Sequence, residues 1–290
     1  MSGQVEGNGA VVSRFTSALV RALLMALLIA TPSLLLPGVG VDTTQIVVLV
    51  ALLASLMTFV EYFSQYPSIV EFRFAPPFNR LRFVALFATV LLLSLICAGK
   101  ESPTDLTRVL SGLGMLLGNA IDFPYSPVRL VVLMMPEDAP ADLIASVRTA
   151  AGIAYMVSLL AMFVFVTMVR ILGWPARNGA FNVWINLPLF DPTAGGDVLL
   201  RLKRDSGLNI VLGILLPFFI PAVVKAAADL IDPITMENPQ TLIWTMAAWA
   251  FLPASMIMRG IAMGRVADMI EEKRIRTYAK AEKDGAPVAP

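Results

Sequence analysis

The side chains that could do chemistry in this chain are few. There is no histidine among its 290 residues, and there is a single cysteine, Cys97. This removes the commonest zinc ligand and the side chain that titrates unperturbed near neutral pH. It also removes the Ser-His-Asp and Cys-His nucleophilic arrangements. One cysteine allows no internal disulfide and no thiolate cluster. Carboxylates, lysine and arginine remain. Within apolar stretches these are Glu61, Arg21 and Arg259, together with Lys225 and Asp229, spaced i, i+4. That spacing puts Lys225 and Asp229 on one helix face. An ionisable group inside a membrane is a functional candidate by default, because charge is expensive in lipid. Glu61, Lys225 and Asp229 are therefore candidates for a transport path or for intramembrane pairing. The competing expectation is snorkelling to the headgroups for the arginines and an interfacial pair for Lys225 and Asp229. No catalytic, cofactor-binding or metal-binding set is assigned.

Three prolines interrupt apolar stretches: Pro217 and Pro221 in L-L-P-F-F-I-P-A, and Pro253 in F-L-P-A-S. Proline lacks the donor N–H and clashes with the preceding turn, so these are expected helix-break positions. Interrupted spans can mark a transporter binding site, although proline is also frequent in ordinary membrane helices. A fourth group lies in a polar connection. Trp184 sits among aromatics suited to the interface, and Arg201, Lys203 and Arg204 form the basic end of a short amphipathic helix with Asp197 as its N-cap. Trp184, Arg201, Lys203 and Arg204 are candidate contacts for a protein partner or for anionic lipid, each base being worth about 1 kcal/mol near a charged surface. No nucleic-acid motif is present.

The elements that must position these residues are membrane spans. The chain is 57% hydrophobic and 15% charged, with a mean hydropathy of +0.76. Soluble domains carry about 25% charged residues. The expected fold class is an all-α polytopic membrane protein with six transmembrane helices. The spans are expected over about 15–36, 44–63, 81–98, 149–172, 208–231 and 241–261. The third is the shortest and should be extended by its flanks. A flexible tail over 1–14 precedes the single membrane domain, 15–263, and a charged tail over 264–290 continues the sixth helix. A competing reading treats the first span as a secretory signal, but no A-x-A-type site follows it.

Most of the 22 basic residues fall at the tails, in the connection after the second span and in the inside loop 173–207. By the positive-inside rule both termini are cytoplasmic, and a bacterial inner membrane is the expected location. The inside connection Ser68 to Phe74 is expected to form a short interfacial helix. The outside loop, 99–148, contains two apolar runs around I-D-F-P-Y-S-P. It reads either as a re-entrant hairpin, with Gly114 and Gly118 allowing close approach, or as two interfacial helices. The expected function is a non-catalytic accessory, scaffold or assembly subunit of a larger membrane complex, without a cofactor. Its expected partners are anionic lipid and either other membrane proteins or a second copy. The alternative is a permease or channel with its path near the fifth and sixth spans.

Overall fold

A computed structural model describes residues 2–175, 181–191, 195–227 and 236–283. The protein is an all-α, six-span integral membrane protein. Among the described residues six helices are long and apolar enough to cross a bilayer. In chain order the helices are α1 (Ser2–Leu35), α2 (Val41–Phe63), α3 (Phe78–Glu101), α4 (Asp105–Ile121), α5 (Pro127–Leu133), α6 (Ala141–Arg170), α7 (Val183–Asn186), α8 (Val198–Ala227) and α9 (Pro239–Lys283). The spanning helices are α1, α2, α3, α6, α8 and α9. Their alternation brings the start of α1 and the end of α9 to one end of the bundle, here called proximal; the other is distal.

The expected spans are all present, and the differences lie at their ends. The third span is extended on both sides, to Phe78 and Glu101. Helix α1 is already helical from Ser2, in the stretch read as a flexible tail. Two connections differ in kind. No separate amphipathic helix precedes the fifth span. Asp197 does act as an N-cap, accepting from the Leu199 N–H at 3.0 Å. The helix it opens runs on through Gly207 as α8, because the apolar positions on both sides of that glycine keep one helical period. The segment Ser68 to Phe74 is a set of turns rather than a helix. Its backbone N–H groups are taken by a carboxylate, and Phe72 has φ +54°, a conformation no helix continues through.

Pro217, Pro221 and Pro253 all lie inside unbroken helices, α8 and α9. Both helices continue through these prolines, and at Pro221 the freed carbonyl finds a donor on the neighbouring helix. Pro221 cannot donate to the carbonyl four residues earlier, that of Pro217; the Trp249 indole N–H donates there instead, at 3.1 Å. The α8–α9 pair is the most extensive helix contact described. Its seam is built from small residues. A Cβ on Gly213 would stand 2.7 Å from the Pro253 carbonyl oxygen, and one on Gly260 would stand 2.8 Å from that of Ser206. Ser206 Oγ donates to the Gly260 carbonyl at 2.7 Å. Close backbone approach of this kind lets dispersion hold helices together where lipid offers no hydrophobic gain.

Helix α9 is the axis of the molecule, packing against α1, α3, α6 and α8. Two apolar cores are stacked along it. The distal core gathers Leu28, Val90, Leu93, Val147, Ala151, Ile243 and Met246, and the short helix α5 inserts Val128 and Val131 into it. The proximal core gathers Phe72, Phe78, Phe165, Trp174, Leu202, Met258 and Val266. Helix α2 is peripheral and packs only against α1 among the described helices.

The distal connection 99–148 folds into α4 and α5, each held by its own polar caps. Thr104 and Thr107 make a reciprocal capping box at the start of α4. Ser126 caps α5 with Pro127 at its first position. Asp122 between them is almost fully buried, accepting from Arg148 Nε at 2.7 Å and from Arg129 Nη1 at 3.3 Å. The glycines of α4 face α6, where a Cβ on Gly118 would be 2.8 Å from the Arg148 carbonyl oxygen and one on Gly152 would be 2.6 Å from Gly118 Cα. The opposite face of α4 presents Leu106, Val109, Leu113 and Leu116 outward. Gly118→Leu is expected to lower folding stability by about 1–3 kcal/mol through overpacking. Gly112→Leu, a site with open space around it, should be nearly neutral. Thermal unfolding in detergent compares the two, and equal stability for both variants would contradict this packing.

Candidate functional site at the proximal end

Polar and aromatic side chains converge at the proximal end, where the α2–α3 connection meets the α6–α8 connection. Glu61, two residues from the end of α2, is 7% exposed. Its Oε1 accepts from the backbone N–H groups of Ser68, Ile69 and Val70 at 2.9, 3.1 and 2.9 Å, and its Oε2 accepts from Ser68 Oγ at 2.6 Å. Successive N–H groups folded around one carboxylate form an anion nest. Arg73 closes the same turn from the other side. It donates from Nη2 to the carbonyls of Ser64 and Gln65, each at 2.9 Å, and from Nη1 to the Glu61 carbonyl. The carbonyls that end α2 are thus satisfied by a cation, which also suits the helix dipole. Burial lowers the Arg73 pKa from its ordinary value. Glu61 and Tyr62 oppose the shift, and nearby Arg14 and Arg21 reinforce it. The guanidinium stays charged.

The turn so formed carries Glu71 to α9. Glu71 is 7% exposed, and its carboxylate meets Arg259 in a two-pronged pair, Nε–Oε2 at 2.5 Å and Nη2–Oε1 at 2.7 Å. The fork geometry of guanidinium against carboxylate gives such pairs direction as well as strength. Asn79 Nδ2 donates to the Glu71 carbonyl at 2.7 Å. The two connections are then stitched together. Phe72 N–H donates to the Asn186 carbonyl at 2.6 Å, Phe74 N–H to Asn186 Oδ1 at 3.2 Å, and Trp174 Nε1 to the Ala75 carbonyl at 3.2 Å. Phe72, Phe78, Phe165 and Trp174 stack beneath them, with ring centroids 4.7–5.6 Å apart in the closest pairs. Beside this stitch lies a half-open cavity of about 500 Å³ walled by Phe74, Pro76, Pro77, Trp174 and Phe181, with Gln65, Asn182 and Asn186 as its polar side chains.

The candidates read from sequence are not brought together at one place. Glu61 holds a turn rather than pairing with Arg21 or Arg259, and Arg259 takes Glu71 instead. Lys225 is exposed near the distal end of α8, far along the bundle from Glu61, and Asp229 lies outside the described residues. Pro217, Pro221 and Pro253 lie at the α8–α9 seam. Lys203 pairs with Glu271 at 2.8 Å, Arg204 with Asp205 at 3.3 Å, and the Arg201 guanidinium lies 4.8 Å over the Phe190 ring. Trp184 belongs to α7, and its side chain lies outside the described residues. Glu71, Asn186 and Asp122 are the polar residues that sequence reading passed over. The only signal available for Glu71 was a carboxylate set among the aromatics and prolines of a connection too apolar to be a solvated linker. Among the described residues no group of three or more histidine, cysteine, aspartate or glutamate side chains is placed to hold a metal ion.

The first half of α8 also receives the end of α9. Val266 and Ala267 are fully buried against the proximal core, and Asp197 accepts from both Nη atoms of Arg274 at 2.9 Å. The Arg274 hydrogen bonds, with that from the Leu199 N–H, lower the Asp197 pKa. A lowered folded-state pKa stabilises this docking above the ordinary aspartate value and loses that contribution as pH falls through the folded one. Amide exchange over 266–278 should therefore be constant from pH 8 to about 5, after correction for intrinsic rates, and accelerate below about pH 4. The same acceleration in Asp197→Asn would show that another group titrates. Glu71→Ala and Arg259→Ala should each destabilise the protein. Their double mutant should recover about 0.5–3 kcal/mol relative to the sum, measured by thermal or denaturant unfolding. Strict additivity would mean the pair contributes nothing.

Comparison with protein-family models, curated proteins and solved structures finds no match to this chain.

Proposed function

We propose that this protein is a non-catalytic subunit, accessory or scaffolding in role, of a larger assembly in a bacterial inner membrane, with both termini cytoplasmic. The observation that supports this reading over a permease is the α8–α9 seam. A path along the proline-bearing helices needs room between them. At Gly213 and Gly260 the two helices approach to backbone contact, and Trp249 already uses the carbonyl that Pro221 frees. The cavity of the proximal end lies between connections and is lined by neither α8 nor α9.

The lateral surface supports the assembly half of the reading. Among the described helices α2 packs on α1 alone, and it presents Ile46, Leu49, Leu52, Leu53, Leu56 and Val60 outward. An α1–α2 hairpin standing at the edge of the bundle offers a membrane partner or a second copy a face that the chain itself leaves uncovered. The orientation is supported by the concentration of arginines at the proximal end.

Purification of the full chain from its native membrane in mild detergent should yield a stoichiometric membrane-protein complex. Photocrosslinkers at Leu49 or Leu53 should capture that partner, and crosslinkers at Leu212 on α8 should not. A monomer that conducts solute in liposomes would overturn the proposal. Topology reporters at the two termini should both read cytoplasmic, and an external signal at either would overturn the orientation.

A further inference from the structure

Helix α4 lies across the bundle rather than along it. Its start meets the end of α3, where a Cβ on Gly99 would stand 2.5 Å from Thr107 Cβ. Lys100 Nζ donates to Ser146 Oγ at 2.5 Å, which sets that end of α3 near the second turn of α6. The second half of α4 meets α6 itself. A Cβ on Gly114 would meet the side chains of Thr149 and Ile153, and one on Gly118 would meet the backbone of Arg148 and Thr149. Two glycines one turn apart therefore fall on a single short stretch of α6. A helix laid along α6 would have moved its contacts on by a turn as well. With 17 residues α4 is about 25 Å long, enough to reach over both α3 and α6. The level it occupies is close to the distal end of those two spans.

Its exposed surface is divided by flank. Leu106, Val109, Leu113 and Leu116 are each more than half exposed. The same spacing one residue earlier, about 100° round the helix, gives Asp105, Arg108, Gly112 and Met115, with Asn119 a turn further on. Methionine is the one large apolar side chain of that second flank, and Asp105 and Arg108 form an exposed pair at 3.0 Å. The buried face shows which way each flank points. Gly118, on the side of the polar flank, meets Arg148, whereas Gly114, about 40° nearer the leucines, meets Ile153, deeper in the span. The turn after α4 adds an independent signal. Ser126 N–H donates to the Phe123 carbonyl at 3.0 Å across Pro124 and Tyr125, and Tyr125 has φ +67°. This is type II geometry, whose third position favours glycine. Tyrosine holds it while 88% exposed, beside Phe123 at 55%. An apolar ring with a polar tip suits the headgroup level of a bilayer. We infer that α4 and this turn lie flat in the distal leaflet, with bilayer lipid as the partner of their exposed surface. Leu106, Val109, Leu113 and Leu116 rest among acyl chains, Arg108 and Asn119 face water, and Phe123 and Tyr125 sit at headgroup level. An interfacial helix divides its two faces between the two media in this way. The inference sets α4 on the leaflet rather than in a re-entrant hairpin, and it does not depend on the subunit reading.

Spin labels on the full chain in phosphatidylcholine–phosphatidylglycerol liposomes test it, with Cys97 replaced by serine. Labels at Leu106→Cys and Leu113→Cys should collide mainly with oxygen, which partitions into hydrocarbon. Labels at Arg108→Cys and Asn119→Cys should collide mainly with a water-soluble nickel chelate, so that the oxygen-to-nickel ratio changes several-fold between the flanks. All four positions are exposed, and a label there displaces no core residue. A label at Tyr125→Cys should read between the two sets. Oxygen preference at all four would put α4 wholly within hydrocarbon, as a re-entrant hairpin would be. Nickel preference at all four would put it clear of the bilayer. Loss of both kinds of collision at the two leucines would show protein covering them, in these liposomes a second copy. Each of these three results would overturn the inference.

Discussion

In hydrocarbon a helix gains nothing by hiding apolar side chains from lipid, so the bundle depends on how closely its backbones approach. Gly213 and Gly260 at the α8–α9 seam, and Gly118 and Gly152 at the α4–α6 contact, are where this chain meets that constraint. At each, a single Cβ would collide with a backbone atom. The axis helix α9 can then touch four spanning neighbours, and its two ends can hold separate apolar cores.

The same medium forbids unsatisfied polar groups, and the structure answers with local closures. Trp249 fills the carbonyl that Pro221 frees, Asp122 takes two arginines, and the turn after α2 folds around Glu61. Within the spans, Thr89 and Ser94 return their hydroxyls to the carbonyls four residues earlier, at 2.9 and 2.7 Å. Glu61, an ionisable residue that would otherwise suggest transport, is thereby committed to the turn after α2.

The spans were legible because length and apolarity alone define them, and the amphipathic stretch before the fifth was legible as helix. Three things were not. The carbonyl that Pro221 frees in α8 is satisfied by a donor 32 residues away, at Trp249, which no local rule supplies. The turns over Ser68 to Phe74 override an apolar, aromatic-rich pattern because Glu61 competes for their N–H groups. Glu71 and Asp122 read as ordinary loop acids, and only tertiary folding gives them guanidinium partners. By contrast the Gly114 and Gly118 spacing allows close approach in a re-entrant reading of the loop, and both glycines face α6. Their spacing carries a steric requirement that survives without knowing the partner.

On the proposed reading the bundle is closed between its spans, and its outward apolar faces lie on α2, α4 and α8. The most direct test of that reading is water access to the bundle interior. Ser94 on α3 and Ser255 on α9 are buried polar positions within spans, and cysteine is nearly isosteric with serine. With Cys97 replaced by serine, Ser94→Cys and Ser255→Cys should resist membrane-impermeant maleimide from both faces of native vesicles and react only after denaturation. Labelling of either residue from an aqueous face of the folded protein would reveal a water-filled path and contradict the closed bundle.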